Sequence, residues 1–161
     1  LLKLNYNKSA KFVFTGSKKN NYEFLLKKRN EFKLDKEITF FEYLNDEDIK
    51  ELYKNCKGVV MPSLIGYSSL PLYEAFFFKK PVFYTKDLLD VSLQKFVNQI
   101  DILQPKSLAI ALNNFDKNIE EINYKVDSAK VFFDNNLSQV QIENQYKKIL
   151  KKIQNQISIY K

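Results

Sequence analysis

Met61-Pro62-Ser63-Leu64-Ile65-Gly66-Tyr67-Ser68-Ser69-Leu70-Pro71-Leu72-Tyr73-Glu74-Ala75-Phe76 is the stretch from which the rest of the chain is read. A short apolar strand, Val59-Val60-Met61, runs into a loop that holds Gly66 and two serines. The loop ends at Pro71, which suits the first position of a helix because it has no N–H to leave unpaired. Glu74 is then expected in the first helical turn, and Ala75 to Phe78 carry the helix into the core. A strand, a loop of small residues and a helix N-terminus together make an anion site. The free N–H groups of the first turn point outward, and the helix dipole favours negative charge. On these features alone the stretch also reads as a plain connection of an α/β fold, with Pro71 as helix starter and Glu74 as complement to the dipole.

Outward from this stretch the same rhythm repeats. Upstream, Lys11-Phe12-Val13-Phe14-Thr15-Gly16 reads as a strand ending in glycine, and its apolar run without strict alternation suits a parallel sheet covered on both faces. Asn20 or Asn21 caps a helix that buries Phe24 and Leu25 and ends before Leu34. Ile38-Thr39-Phe40-Phe41 is the next strand. Asn45 caps a helix in which Ile49, Leu52, Tyr53 and Cys56 share one face, with Asp46, Glu47 and Asp48 in the first turn, where the dipole favours them, and Gly58 ends it. Leu1 to Leu4 read as the end of a helix. Downstream, Pro81-Val82-Phe83-Tyr84 is the fourth strand, its proline at the position a strand tolerates. Leu88 to Val97 reads as short helix and loop, and Ile100 to Leu103 as a last short strand. Helices follow over Lys106 to Phe115, Asn118 to Phe133, and from Ser138 to the end. Strands separated by helices at roughly twenty-residue intervals are the rhythm of βαβ units. The fold class expected is α/β: a doubly wound, Rossmann-like parallel sheet with helices on both faces and a long C-terminal helix. Ligands in such sheets bind at the carboxyl ends of the strands, where Gly16, Glu42-Tyr43 and Pro62 to Leu70 all fall.

Composition narrows the function classes. With 161 residues, 45% hydrophobic and 15% aromatic, the chain is one globular domain with enough apolar residues for a core. There is no histidine, which removes the commonest metal ligand and the commonest general base, and no metal or cofactor is implied. The one cysteine, Cys56, reads as a small hydrophobe and points to a reducing, cytoplasmic setting. No apolar run has the length of a membrane span. The net charge of +7 is spread over scattered lysines without the aromatic-plus-basic motif of a nucleic-acid module, so no nucleic-acid partner is expected. A basic balance also suits a phosphate-bearing partner or an anionic membrane face. A leading Leu inside a helical pattern suggests a fragment of a longer protein.

The run from Phe12 to Val82 resembles the C-terminal domain of family 4 retaining glycosyltransferases, which have the two-domain GT-B architecture. A strand ending in Gly and a helix are followed there by a strand and an acidic helix, here Asn45 to Cys56. Next comes a "PSl.EgfglPllEA...gkPV" block, matched in order and spacing by Pro62-Ser63-Leu64, Leu70-Pro71-Leu72, Glu74-Ala75 and Lys80-Pro81-Val82. The resemblance implies transfer of a sugar from a nucleotide-diphosphate donor to an acceptor with retention, in bacterial polysaccharide or glycoconjugate synthesis. On it, residues 1–161 are the donor-binding half, inactive without an N-terminal acceptor domain. It also implies site residues. Glu74 would accept hydrogen bonds from the ribose hydroxyls. Backbone N–H groups near Ser68, Ser69 and Leu70 would hold the diphosphate. Gly16 would let the donor approach closely, and Glu42 and Tyr43 would lie beside the base. Gly66 departs from the family, standing where many members carry a glutamate near the donor sugar. Some bacterial members with the Gly-x-x-x-Leu-Pro pattern share that departure. The alternative is a degenerate GT-B-like half acting as a non-catalytic binding or scaffold module.

The terminal helix carries Ile142, Tyr146, Ile149, Ile153, Ile157 and Tyr160 on one stripe, flanked by Lys147, Lys148, Lys151 and Lys152. The stripe is expected to pack on the core or on the missing domain. Peripheral association with the cytoplasmic face of the inner membrane is the second reading.

Overall fold

The computed structural model describes residues 1–19, 21–64 and 70–159. In chain order the elements are α1 (Leu2–Tyr6), β1 (Phe12–Thr15), α2 (Tyr22–Glu31), β2 (Ile38–Phe41), α3 (Asp46–Asn55), β3 (Val59–Met61), α4 (Leu70–Phe77), β4 (Val82–Thr85), α5 (Val91–Gln94), β5 (Asn98–Ile100), α6 (Pro105–Asn113), α7 (Ile119–Asn136) and α8 (Gln139–Ile159). The chain divides into two compact units, one of Leu1–Cys56 with Asp101–Lys117, the other of Lys57–Ile100 with Asn118–Lys161.

In the first unit β1 and β2 pair in parallel, Phe12 opposite Ile38 and Thr15 opposite Phe41. The helix after β2 forms where the caps dictate. Asn45 sits in extended backbone, its side-chain oxygen accepts the Asp48 N–H at 2.9 Å, and three acidic residues occupy the first turn. Ile49, Leu52, Tyr53 and Cys56 are half-buried while their neighbours on α3 are exposed, so the periodic stripe is the inner face. Lys8, just after α1, reaches the Asn113 carbonyl at 3.0 Å and the Asp116 carboxylate at 3.6 Å.

This unit departs from expectation in its burial. A strand covered on both faces was the reading for β1, yet Val13 and Phe14 are 46% and 42% exposed. The helix that follows gives the reason. α2 places no fully buried side chain, and Phe24 and Leu25, expected inside, are exposed. Asn21 occupies the N-cap position of α2 but its side chain makes no capping bond.

The second unit carries the core. Three parallel strands run in the order β3-β4-β5, with Val59 opposite Val82 and Thr85 opposite Ile100. All four residues of the central strand β4 are buried, as a strand flanked on both sides requires. Pro81 lies just before β4, and its carbonyl accepts the Val59 N–H at 2.9 Å. Leu72, Ala75 and Phe76 of α4 and Ile122 and Ala129 of α7 are buried with it. The Phe76 ring meets Phe96 edge-on at 5.8 Å and Phe132 at 6.5 Å between centroids, an arrangement that the charge distribution of aromatic rings favours.

Three further expectations are corrected here. The last strand is Asn98–Ile100, not Ile100 to Leu103, because a turn begins at Asp101, whose carboxylate accepts the Leu103 N–H at 3.0 Å and whose carbonyl accepts the Gln104 N–H at 3.1 Å. Glu74 is the fifth residue of α4 and so lies beyond its first turn, since the helix already runs at Leu70. Of the two places expected for the apolar stripe of α8, the core is ruled out: Ile142, Tyr146, Ile149, Ile153 and Ile157 are all exposed, and Tyr160 lies outside the described residues. Their spacing makes a helix amphipathic, but it does not supply a neighbour.

Candidate functional site

At the carboxyl end of β1 the chain enters a loop through Gly16, whose N–H donates to the Phe41 carbonyl at 3.0 Å. Gly16 has φ +138°, a conformation that L side chains rarely adopt, while a Cβ there would meet nothing within 4 Å. Backbone conformation and not crowding therefore calls for glycine, and the space in front of it is open. Directly after β2 comes Glu42, whose carboxylate receives the Lys18 Nζ at 3.0 Å. That hydrogen bond and the negative charge behind it raise the Lys18 pKa above the ordinary lysine value. The same ammonium lies 5.7 Å from the centre of the Tyr22 ring.

Between these strand ends lies a cleft of about 310 Å³, within the first unit. Gly16, Ser17, Asn21, Tyr22, Phe40 and Glu42 are among its walls. Tyr22 stands edge-on to Phe40 at 5.4 Å, and Phe14 lies 5.2 Å from Phe40, so the floor is aromatic. An aromatic floor with a carboxylate–ammonium pair at its edge suits a flat group with polar edges. Tyr43, also expected here, is 83% exposed and does not line the cleft. Tyr22, which lines the cleft, and Lys18, which is tied to it only through its ion pair with Glu42, are the residues that sequence reasoning missed. The available signal was their position just past the strand-terminal Gly16, but nothing in the sequence set them apart from other surface lysines and tyrosines. A wider depression of about 590 Å³ runs along α2 past Glu23 and Glu31 and is walled by that helix alone, so it encloses nothing.

In the second unit, Pro62, Ser63 and Leu64 leave the carboxyl end of β3. Gly66, Ser68 and Ser69, named as donor-binding positions, lie outside the described residues. Leu70 opens α4 and is 76% exposed, and Pro71 follows it. Glu74 is half-buried on this helix, between the buried side chains Leu72 and Ala75, which fix the helix against the core. The helix closes with Lys79 in the left-handed region at φ 53°. The Lys80 N–H returns to the Ala75 carbonyl at 2.8 Å and the Lys79 N–H to the Phe76 carbonyl at 3.2 Å, the paired bonds of a Schellman ending. At the end of β4 the buried Thr85 hydroxyl donates to the Met61 carbonyl at 3.4 Å and ties the ends of β3 and β4 together. Burial pushes the Tyr84 phenol above its ordinary pKa, with Tyr73 adding to the rise. Among the described residues no group of three His, Cys, Asp or Glu side chains could hold a metal ion.

Comparison with known proteins bears on the whole chain. The sequence model of the family described as "Glycosyl transferases group 1" matches residues 1–89, more than half of the chain, and the chain belongs to that family. No curated protein matches. Among solved structures, sucrose-phosphate synthase from Thermosynechococcus elongatus is similar over 87% of this chain, with a TM-score of 0.65 at 15% identity. The chain covers 38% of the length of that synthase. The fold is therefore α/β and Rossmann-like, with parallel strands, helices on both faces and a long C-terminal helix, as in one half of a GT-B glycosyltransferase.

Proposed function

We propose that this group 1 glycosyltransferase chain is the donor-binding half of an enzyme that moves a sugar from a nucleotide-diphosphate sugar to an acceptor, with retention at the anomeric carbon. The observation that carries the reading is the placement of the family's sequence block. Pro62-Ser63-Leu64 leave β3, Leu70-Pro71-Leu72 and Glu74-Ala75 form α4, and Lys80-Pro81-Val82 enter β4. In this reading Glu74 accepts the ribose hydroxyls, and the backbone at Ser68, Ser69 and Leu70 holds the diphosphate at the start of α4. Gly16 lets the donor approach the first loop closely, and Glu42 lies beside the base at the aromatic cleft of the first unit. The chemistry requires an acceptor domain to position the nucleophile, so residues 1–161 bind donor and transfer nothing by themselves. A bacterial polysaccharide or glycoconjugate pathway in the cytoplasm is the setting we assign. Gly66, in place of the family's glutamate, favours the alternative of a non-catalytic binding module.

Calorimetry with a panel of nucleoside diphosphates decides between them. At a hundredfold excess over its dissociation constant, a bound nucleotide adds about 2.7 kcal/mol of stability, readable as a thermal shift. Glu74→Gln keeps the shape of the side chain and loses its charge. Charged hydrogen bonds exceed neutral ones by about 1 kcal/mol or more, so the variant is expected to bind five- to tenfold more weakly with unchanged folding. A panel in which no nucleotide binds, or equal affinity in both proteins, overturns the donor reading.

A further inference from the structure

The cleft at the ends of β1 and β2 is uneven in its hydrogen-bonding groups. Among the described residues Glu42 is the one carboxylate of its wall, and an ionised carboxylate only accepts. Lys19 only donates, and the side chains of Ser17 and Asn21 can do either. At about 310 Å³ the cleft is at the small end of ligand sites, so it suits one part of a nucleotide sugar, such as the base, and not the whole.

The carboxylate has a fixed place on this wall. Its Oε2 receives Lys18 Nζ at 3.0 Å, and that ammonium is itself 5.7 Å from the centre of the Tyr22 ring. Tyr22 in turn meets Phe40 edge-on at 5.4 Å. This run of contacts ties Glu42 to the aromatic residues against which a flat group rests, so the carboxylate meets the edge of that group. The ion pair does not exhaust it. A carboxylate has two oxygens and about four lone-pair sites, so it can hold Lys18 and still accept two further hydrogen bonds.

The nucleotide bases differ in what they present to such a group. Guanine carries its N1–H and its N2 amine side by side, two donors that one carboxylate takes together. Uracil carries a single N3–H between two carbonyl oxygens, which the carboxylate repels on both sides. Adenine and cytosine each offer one amine beside a ring nitrogen that accepts. Lys19 can donate to a carbonyl of guanine or of uracil alike, so it does not discriminate. The ribose and the diphosphate are common to all of them. The choice therefore falls on Glu42.

We propose that Glu42 selects guanine, so that the donor is a guanosine-diphosphate sugar. The inference rests on the donor reading above and names the base within it.

The test is calorimetry on the full chain with guanosine, inosine, adenosine, cytidine and uridine diphosphates. Hypoxanthine, the base of inosine, lacks only the 2-amino group of guanine, so that pair isolates the second hydrogen bond. A good two-bond contact discriminates against the wrong base by roughly ten- to a hundredfold. Guanosine diphosphate is therefore expected to bind at least about tenfold more tightly than uridine diphosphate, with inosine diphosphate between them. Glu42→Gln keeps the shape of the side chain and turns one acceptor into a donor. It is expected to weaken guanosine diphosphate about tenfold and to leave uridine diphosphate unchanged or tighter, because an amide matches the N3–H of uracil and the carbonyl next to it. The pair with Lys18 is half exposed, so the melting temperature is expected to stay within about a degree. A merely structural role for Glu42 would weaken all the diphosphates alike, and that result overturns the proposal. So does any other base bound as tightly as guanine, equal affinity for the guanosine and inosine compounds, or a guanine preference that survives in Glu42→Gln. In each of these cases a nucleotide still binds and the donor reading stands. Binding of none of the five overturns the donor reading and the base assignment together.

Discussion

Lys79 ends the helix that carries Glu74, and it does so in a backbone conformation that favours glycine. Its φ of 53° is left-handed, and in the family block the corresponding position is the glycine of "gkPV". A non-glycine residue there costs about 1 to 2 kcal/mol against the right-handed conformation. Glycine removes that cost but gains freedom in the unfolded chain, which takes back about 0.5 to 1 kcal/mol. Replacing the side chain also removes the contact of Lys79 Nζ with Asp127 Oδ1 at 3.3 Å. Both partners are more than half exposed, so that loss is a few tenths of a kcal/mol. The net for Lys79→Gly is a gain of about 0.5 kcal/mol. Lys79→Ala loses the same ion pair and keeps the left-handed cost, so it is expected to be slightly destabilising. The informative quantity is the difference between the two variants, about 1 kcal/mol in favour of glycine, because the ion pair cancels from it. In a chain of this length that corresponds to a melting difference of about 2 to 4 °C. Urea denaturation followed by far-ultraviolet circular dichroism measures it, and the gap is expected to persist at high salt, where the ion pair is screened. Alanine equal to or better than glycine would show that the Schellman ending does not hold Lys79 in this conformation.

Two further outcomes follow from close contacts elsewhere in the fold. A Cβ at Gly58 would stand 3.1 Å from the Pro81 carbonyl oxygen and 3.4 Å from the Phe83 ring, so Gly58→Ala is expected to push β3 off β4 and cost about 1 to 2 kcal/mol in a denaturation midpoint; a neutral substitution would refute the contact. Asp90 caps α5 by accepting from the Ser92 hydroxyl and N–H, which lower its carboxyl pKa, so the cap is whole above the ordinary aspartate range and is lost as pH falls through the lower folded value; protection of the Ser92 amide is expected to follow that titration and to become independent of pH in Asp90→Asn.

The elements legible in the sequence are those whose signals are local. β2 and β3 fall residue for residue where Ile38-Thr39-Phe40-Phe41 and Val59-Val60-Met61 place them, because each is a run made up, Met61 apart, of β-branched or aromatic residues. α3 was legible from its cap, its acidic first turn and its stripe together. β5 was not, because two of its three residues are amides that no propensity assigns to a strand. Pairing holds it: Asn98 sits opposite Phe83, its Nδ2 donates to the Val82 carbonyl at 3.3 Å, and its Oδ1 accepts from Lys125 at 3.3 Å. The candidate site divides in the same way. Gly16 was legible as a glycine at a strand end. The union of Lys18 with Glu42 depends on the register that sets Thr15 opposite Phe41, and register is a property of two strands that neither one encodes alone.

Burial is the part of the fold that periodicity leaves open, and it sets how firmly each candidate residue is held. Every fully buried apolar residue among the described ones lies in the second unit except Ala109. All four residues of β4 are thus buried, while β1 shows solvent at Val13, Phe14 and Thr15. Local opening costs least where few apolar contacts are lost, so the β1–β2 ladder is expected to open more readily than the β3–β4–β5 ladder. Hydrogen exchange read by residue is expected to show the amides of Val82–Thr85 slower than those of Phe12–Thr15 by more than about tenfold, the factor that 1.4 kcal/mol of opening free energy gives. A base seated in the first unit's cleft would then protect β1 and β2 in proportion to its occupancy, because a ligand stabilises only the state that binds it. Equal protection of both ladders without ligand would mean that the exposed strands of the first unit are held by something other than burial, and the argument from the core would fail.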